Sequence, residues 1–298
     1  MTEETVQSKL SRELRAGAPI ALLPGQSSPE AQALLPEITR YLKAQGLEVR
    51  IEPPGPDGVP LVLSLGGDGL MMRAARRYPN VPILGVNFGH LGFLTAVEAS
   101  HWREAIDRVI AGDFQIREGP TLATTIVSKD GQRQSLGWAV NDVVVHGGLR
   151  FIHPTLFIDR QYVNEYPGDG MVVATPAGST AYCMAAGGPV LLSGVGGLAV
   201  VPISCHSPIR VSLVVPADVE IGLKLIGRNG ADLILDGQSE QLRPISPGDT
   251  VFVRRGSASF CQISFRSFDW FAAFQSKFNY QIRRGGLEPT VPDDEGAG

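Results

Sequence analysis

A short apolar segment, Leu61–Leu65, runs directly into the glycine-rich sequence Gly66-Gly67-Asp68-Gly69. The apolar segment predicts a buried strand, and glycines allow a sharp turn and a close approach of the backbone to a ligand. Amide N–H groups in such a loop can converge on an anion. A carboxylate in an anion-binding loop would repel phosphate unless it handles a proton or a metal beside it. The pattern therefore indicates phosphoryl transfer, although a tight turn with a helix-capping Asp68 fits the same residues.

The N-terminal part alternates short apolar strands with helices, which predicts a parallel α/β sheet. The predicted strands are 19–23, 47–51, 61–65 and 81–86, and the predicted helices are 29–44, 70–77 and 101–110. Ser28 and Ser100 are expected to cap two of these helices, and Gly46 to end the first. Ligands of such sheets bind beyond the carboxyl ends of the strands, where Asp68 is expected to lie.

Near residue 117 the pattern changes to closely spaced strands, which predict a sandwich-like antiparallel fold. The strands are expected at 122–128, 138–145, 155–158, 171–174, 198–202, 211–215, 220–226, 232–235, 250–254 and 260–265, with helices at 179–186 and 269–278. The fold class is thus an α/β N-terminal domain with a parallel sheet plus a C-terminal all-β sandwich-like domain. We expect domains at 1–116 and 117–266, and a C-terminal helix and loose tail at 267–298 that pack back on the N-terminal domain.

Composition excludes several classes of protein. The net charge is −4 and only 19% of the 298 residues are charged, with basic residues dispersed, so a nucleic-acid partner is not expected. No apolar run reaches the roughly 20 residues of a membrane span. The three cysteines, Cys183, Cys205 and Cys261, are far apart, which predicts buried thiols and a cytoplasmic location rather than a disulfide framework.

Two further segments follow predicted strands. Asn87–Leu94 contains Phe93, which offers a ring to a nucleotide base; alternatively, Phe93 plugs the core and His90 is a surface residue. Asn141-Asp142 interrupts an apolar run, where polar groups need partners such as a ribose or an amide. A strand end or a bulge would also explain this pair.

Small residues mark a third region, made of Gly168-Asp169-Gly170, Thr175–Tyr182 and Gly187-Gly188-Pro189. Its hydroxyls and free amides at a helix start would attract phosphate, and an ordinary capped helix is the alternative. The chain has no Gly-Lys-Ser/Thr of a P-loop and no Gly-x-Ser-x-Gly of a hydrolase elbow.

Taken together and in this order, the segments resemble the NAD kinase family. Pro202–Ser207 and Asp236-Gly237-Gln238 extend the match, which runs from about Leu61 to Gln238. The resemblance implies transfer of a phosphoryl group from ATP, or from polyphosphate, to the 2′-hydroxyl of the adenosine ribose of NAD. It also implies Mg²⁺ or another divalent cation with ATP, and a homodimer or homotetramer in which a neighbouring subunit completes the NAD pocket.

The resemblance also implies site roles. Asp68 matches the family's proton-abstracting aspartate, and Gly66 and Gly67 match its phosphate loop. The positions that match NAD-contacting residues are Gly69, Phe93, Asn141, Asp142, Asp169, Thr180, Ala181 and Tyr182. His206 and Gln238 are further candidates, and no dedicated metal ligands are expected.

The sequence departs from the family pattern at Leu70, Asp142, Pro167, Ala177, Ala185 and Arg210. Leu70 removes a polar group near the expected phosphates, and Asp142 keeps the usual charge on a shorter stem. Two alternatives therefore stay open. One is a non-catalytic dinucleotide-binding sensor, and the other is a lipid kinase of the diacylglycerol or sphingosine type, which shares the Gly-Gly-Asp-Gly loop.

Overall fold

The computed structural model describes residues 5–88, 92–95, 97–206, 210–238, 242–265 and residue 274. Helices and parallel strands alternate in its N-terminal part, as predicted. The helices are α1 (Val6–Arg15), α2 (Pro29–Ala44), α3 (Asp68–Arg77), α4 (Trp102–Ala111) and α5 (Tyr182–Ala185). The first five strands are β1 (Ile20–Pro24), β2 (Val49–Ile51), β3 (Leu61–Leu65), β4 (Ile83–Asn87) and β5 (Val97–Glu98).

The chain then forms twelve more strands within the described ranges. They are β6 (Gln115–Val127), β7 (Arg133–Ala139), β8 (Asp142–His146), β9 (His153–Ile158), β10 (Gln161–Glu165), β11 (Gly170–Ala174), β12 (Gly197–Ile203), β13 (Leu213–Pro216), β14 (Ile221–Ile226), β15 (Ala231–Leu235), β16 (Arg243–Ile245) and β17 (Thr250–Ser264). The predicted α/β fold with a β-rich C-terminal part is therefore confirmed.

The strands form two sheets in the part of the chain that the structure describes. One is 11-stranded, with the path β10-β9-β14-β17-β4-β3-β1-β2, and the other is 6-stranded, with the order β13-β12-β11-β8-β15-β16. Strands β2, β1, β3 and β4 run parallel. Strand β1 leads through α2 to β2 on one side, and β3 leads through α3 to β4 on the other, so the order in which strands are added to the sheet reverses between β1 and β3. A crevice is expected beyond the carboxyl ends of two such strands.

Local signals account for several element boundaries. Ser28 caps α2 by accepting the backbone N–H of Ala31 at 3.3 Å, and Gly46 follows the helix with a φ of +80°. Helix α4 is different, because it begins after His101 and has no side-chain cap. The predicted Ser100 cap was wrong, since the Ser100 hydroxyl instead contacts Nδ1 of His101 at 3.0 Å.

Two sheet faces meet in the C-terminal half. Apolar side chains of β6, β9, β14 and β17 in the larger sheet pack against those of β8, β11, β12 and β15 in the smaller sheet. The opposite face of the smaller sheet is covered by residues around Cys183 and Leu191. Strands β8 and β11 are therefore buried on both faces, as continuous apolar runs predict.

Four predicted elements were wrong in detail. The expected strand 138–145 is two strands, because the chain leaves the larger sheet after Ala139 and enters the smaller one at Asp142. The expected strands 250–254 and 260–265 are the single strand β17, which pairs with β14 and β6 and reaches β4. The expected helix 179–186 is a 3-10 turn, Gly178–Thr180, followed by the four-residue α5.

The domain boundaries at 116/117 and 266/267 stay predictions. The expected C-terminal helix at 269–278 and the tail lie outside the described residues, apart from Phe274, whose ring centroid is 6.2 Å from that of Phe93. The three cysteines are free and buried, as expected. Among the described residues, no helix is both long enough and apolar enough to cross a membrane.

Candidate active site

The glycine-rich loop places Asp68 at the start of a helix. Gly66 follows β3 and donates its N–H to the carbonyl of Val86 on β4 at 2.8 Å, and Gly67 is the N-cap of α3. Asp68 is the first helical residue, and the N-cap position is occupied by the glycine before it. The capping alternative for Asp68 is therefore wrong, and the carboxylate turns towards the loop that follows β4.

Asp68 is the anchor of that neighbouring loop. Its Oδ2 accepts the N–H of Phe93 at 2.8 Å. Its Oδ1 accepts the N–H of Leu94 and both the N–H and the hydroxyl of Thr95, each at 3.1 Å. Buried Thr95 also accepts from the side chain of Asn87 at 3.0 Å. An ionised carboxylate with several donors is well stabilised, so Asp68 and the ring of Phe93 are held in one fixed arrangement.

One face of α3 points to the site along its whole length. Asp68, Met72 and Arg76 are four residues apart, a spacing that brings side chains onto one helical face. The Met72 sulfur lies 3.3 Å from Nδ2 of Asn141, and the Arg76 guanidinium binds Gln238 and lies 2.7 Å from Asp236. Helix α3 thus connects the glycine-rich loop with the segment that carries Asn141 and Asp142.

Asp236 determines the backbone at the start of β8. Its carboxylate accepts the N–H groups of Val140 at 2.9 Å, Asn141 at 2.6 Å and Asp142 at 3.1 Å. Asp236 itself has a φ of +50°, and its side chain is 0% exposed. These bonds turn the chain between the two sheets, which explains the break in the predicted strand 138–145.

Asn141 and Asp142 are buried where the chain changes sheets. Burial, and then the charge of Asp236, raise the pKa of Asp142 to about 7. The side-chain oxygen of Asn141 has no hydrogen-bond partner among the described residues. A Cβ on Gly178 would overlap the carbonyl oxygen of Asn141. The glycine of the Thr175–Tyr182 segment therefore allows that segment to pack directly on Asn141.

The small-residue segments lie around the same carboxylates. Tyr182 is 38% exposed, and burial followed by the charges of Asp169 and Asp142 raises the pKa of its hydroxyl. Thr180 lines an open cavity together with Phe93, and Arg117 lies in the same wall. Asp142, Asp169 and Tyr182 are thus close enough to interact electrostatically, and Asn141 is the neighbour of Asp142.

Four predicted residues remain. His206 is exposed, with its ring centroid 5.3 Å from that of Phe151. Gln238 is half-buried against Arg76. Gly69 is exposed in the first turn of α3, and nothing lies within 4 Å of the position of a Cβ there. His90 lies outside the described residues.

A second cavity lies at the carboxyl end of β1, against α3. It is lined by the basic side chains of Arg73 and Arg77 and by Leu23, Pro24, Gln26, Glu52, Leu70 and Ala74. Leu70, the departure from the family pattern, also covers Gly66, where a Cβ would come within 2.9 Å of its Cδ2. The two cavities share no lining residue.

Sequence reasoning missed Thr95, Met72 and Arg76 as parts of this arrangement, and it placed Asp236 in a family segment without a role. Met72 and Arg76 could have been found from their spacing of four and eight residues after Asp68 on a predicted helix. The contacts of Thr95 and Asp236 had no local signal, because their partners are distant in sequence. Within the described ranges, no group of three or more His, Cys, Asp or Glu side chains could hold a metal ion.

Two family descriptions match the chain. The N-terminal domain of ATP-NAD kinase matches residues 39–114, and the C-terminal domain of ATP-NAD kinase matches residues 140–265. Both matches include parts of the arrangement described above, since the first contains Asp68 and the second contains Asn141, Asp142 and Asp236.

Solved structures share the fold. The yeast NADH kinase complexed with NADH has a TM-score of 0.79 at 20% identity, covering 92% of this chain and 90% of the other. An NAD kinase from Archaeoglobus fulgidus in complex with ATP has a TM-score of 0.69 at 22% identity, covering 88% of this chain and 97% of the other.

Curated relatives cover most of the chain. An NAD kinase of Thermomicrobium roseum is 47% identical over 260 residues, which are 86% of this chain and 89% of the relative. An NAD kinase of Symbiobacterium thermophilum is 36% identical over 255 residues, which are 79% of this chain and 89% of the relative. With sequence identity on this scale added to both domain matches and the shared fold, the chain belongs to the NAD kinase family.

Proposed function

We propose that this protein transfers the terminal phosphoryl group of ATP to the 2′-hydroxyl of the adenosine ribose of NAD, giving NADP and ADP. The observation that carries the proposal is the position of Asp68. Its half-buried carboxylate lies at the carboxyl end of β3, held by the backbone of 93–95, and α3 connects it to Asn141 and Asp142. The curated relatives, which are named NAD kinases, support the assignment.

The acceptor NAD is assigned to the side that holds Asn141 and Asp142. The unpartnered oxygen of Asn141 is an acceptor for an amino or hydroxyl group, and leaving such a buried atom unpaired costs about 1–3 kcal/mol. Phe93 and Thr180 line the open cavity, which offers an aromatic wall to the adenine. Gly69, Asp169, Ala181 and Tyr182 are assigned to the rest of the dinucleotide, with His206 and Gln238 at its periphery.

The phosphate donor is assigned to the second cavity, at the carboxyl end of β1 against α3. Arg73 and Arg77 supply positive charge there, and the first-turn amides of α3 favour an anion at Gly66 and Gly67. Polyphosphate is the second candidate donor, because the same two arginines would bind its phosphates; the cavity is also lined by the Glu52 carboxylate and the Gln26 amide. The donor is therefore tested with both compounds.

In the reaction, the ribose oxygen forms a bond to the terminal phosphorus while the bond from that phosphorus to ADP breaks. ADP leaves with the electron pair, and the hydroxyl proton passes to Asp68. Phosphoryl transfer has a loose transition state, so positioning of the hydroxyl contributes more than the strength of the base. The hydrogen bonds from residues 93–95 hold the Asp68 carboxylate in place, and the carboxylate in turn positions the hydroxyl.

A divalent cation is assigned to the donor phosphates. Mg²⁺ is usually held by one or two carboxylates together with substrate phosphates. When bound there, the cation neutralises charge that develops on the phosphates.

We also propose a homodimer or homotetramer. Strand β13, at the edge of the smaller sheet, exposes 52% of Val214, an apolar surface that a second subunit would cover.

The test is an activity matrix on the purified protein. ATP or polyphosphate is offered with NAD, NADH or a diacylglycerol in the presence of Mg²⁺, and NADP formation and lipid phosphorylation are measured. NADP formation is the expected result. Binding of NAD without product would favour the sensor alternative, and phosphorylated lipid would favour the lipid kinase.

The Asp68→Asn variant tests the role of Asp68, on which the proposed function rests. We expect it to bind NAD and to lose ~10²–10⁴-fold in turnover. Asp113→Asn is the matched control, because Asp113 is an exposed carboxylate paired with Arg108 and belongs to neither cavity. Turnover of the Asp68 variant equal to that of this control would remove Asp68 from the chemistry.

A further inference from the structure

Three consecutive backbone N–H groups, those of Val140, Asn141 and Asp142, donate to the carboxylate of Asp236. Oδ1 receives two of them, and Oδ2 receives the third together with the Arg76 guanidinium at 2.7 Å. Each oxygen thus has two donors. The side chain of Asp236 is 0% exposed and that of Arg76 is 15% exposed, so both charges of this pair are withdrawn from water.

A buried ion pair of this kind is weak evidence of a stabilising role, since its desolvation cost offsets its attraction. The Asp236 backbone adds a further cost, because a φ of +50° is uncommon outside glycine. Costly features of this kind tend to persist where surrounding structure requires them. Here, the backbone that presents the side chains of Asn141 and Asp142 depends on the buried ion pair and on the positive φ of Asp236.

Arg76 connects the Asp236 carboxylate to α3, the helix that begins at Asp68. It lies two helical turns after Asp68 on α3, about 12 Å along the helix axis. Between them, Met72 contacts the amide of Asn141 at 3.3 Å. A displacement of the Arg76 end of α3 would therefore move the Asn141 segment relative to the Asp68 carboxylate.

We propose that Asp236, held by Arg76, is a positioning residue that sets Asn141 and Asp142 in the geometry that binds NAD and couples them to α3. The inference rests on the proposed function, because it deepens the acceptor side of that site. It assigns Asp236 and Arg76 no contact with NAD or with the reacting atoms.

The experiment measures the KM for NAD, the KM for ATP and kcat in Asp236→Asn and Arg76→Ala, with NAD affinity from calorimetry. Loss of charge-assisted hydrogen bonds that hold a binding segment should raise both the KM and the dissociation constant for NAD ~10–100-fold. The KM for ATP and the kcat at saturating NAD should stay within about threefold of wild type, since Asp68 and its loop are unchanged.

Two further measurements separate positioning from general destabilisation. Arg76→Lys keeps the charge next to Asp236 and should recover part of the NAD affinity that Arg76→Ala loses. Glu220→Gln is the matched control, because Glu220 is a carboxylate with a side chain only 12% exposed that pairs with Arg254 and Arg160 away from both cavities. It should lower the thermal midpoint without changing the KM for NAD.

The double variant Arg76→Ala/Asp236→Asn should lose little more NAD affinity than either single variant, because residues in one network are not additive. The proposal is overturned if Asp236→Asn binds NAD like wild type, or if the KM for NAD and the KM for ATP rise equally. A wild-type protein that binds NAD but forms no NADP would refute the proposed function alone, since the affinity comparison would still hold. A wild-type protein that binds no NAD would refute both.

Discussion

The backbone N–H of Asp142 lies 3.1 Å from Oδ1 of Asp236, so two carboxylates meet at the point where the chain passes between the sheets. The carboxylate of Asp236 accepts from four donors, whereas the carboxyl of Asp142 is buried and has a raised pKa. Burial first, and the charge of Asp236 second, raise the pKa of Asp142 to about 7 from 3.8. The pair therefore combines a structural role with a group that titrates near neutral pH.

The first prediction concerns stability and pH. Between about pH 4 and pH 7, the folded protein keeps a proton on Asp142 that the unfolded chain has lost, so this group makes stability fall as pH rises through that window. The raised pKa corresponds to a loss on the order of 4 kcal/mol, fully present above pH 7. Asp142→Asn should remove it and should raise the thermal midpoint relative to wild type at pH 8.

Thermal midpoints of wild type and Asp142→Asn measured from pH 4 to pH 9 check this prediction. The two curves should converge as pH falls towards about 4, where the wild-type carboxyl becomes neutral in both states. Between about pH 4 and pH 7, where the titration of Asp142 changes stability, the thermal midpoint of Asp113→Asn should follow the wild-type curve. A constant difference between Asp142→Asn and wild type across the whole range would contradict the assignment.

The second prediction concerns the loop that Asp68 anchors. A Cβ on Gly92 would overlap Oδ1 of Asp68 and Oγ1 of Thr95, so Gly92→Ala must displace the carboxylate or the loop. Displacement of a reacting group by about 1 Å costs on the order of 10²-fold in rate. We therefore expect turnover to fall about 100-fold or more, measured as NADP formation at saturating NAD and ATP.

Gly55→Ala is the control for that substitution, because nothing lies within 4 Å of a Cβ at Gly55. It should retain wild-type turnover. The Gly92 variant keeps the carboxylate that Asp68→Asn removes, so the two variants together distinguish misplacement of the base from its absence. Normal turnover in Gly92→Ala would show that the observed contacts of Asp68 with 93–95 are not needed for the reaction.

The third prediction concerns the packing of the Thr175–Tyr182 segment on Asn141. Because a Cβ on Gly178 would overlap the Asn141 carbonyl, Gly178→Ala should force the two segments apart and destabilise the fold by about 1–3 kcal/mol. NAD affinity should fall as well, since Asn141 and Thr180 would separate. Denaturant unfolding and calorimetric titration with NAD measure the two effects.

Gly196→Ala is its matched control. Gly196 has open space at the position of a Cβ, and the change should alter stability by no more than about 0.5 kcal/mol. NAD affinity should equal that of wild type. If Gly178→Ala unfolds and binds NAD like this control, the close approach of the two segments is not required.

Local sequence patterns were sufficient for much of the fold. The apolar run Leu61–Leu65 is strand β3 with the predicted bounds, and α2 has the predicted bounds with its Ser28 cap. Both features are encoded within a few residues, by side-chain burial and by a hydroxyl that accepts a helix N–H. The order of the motifs along the chain also indicated the family, which both domain matches confirm.

Contacts between distant residues decided the rest. The strand break before Asp142 depends on a carboxylate 95 residues after Asn141, and no local pattern encodes that partner. The same holds for the loop bonds of Asp68 and for β17, whose two predicted pieces are joined because β6 pairs along almost their whole length. The sequence by itself determined which segments are buried and where the backbone can bend, because both depend on neighbouring side chains. Only the tertiary structure decided which buried charges meet which backbone amides, because that depends on how the two sheets and α3 pack together.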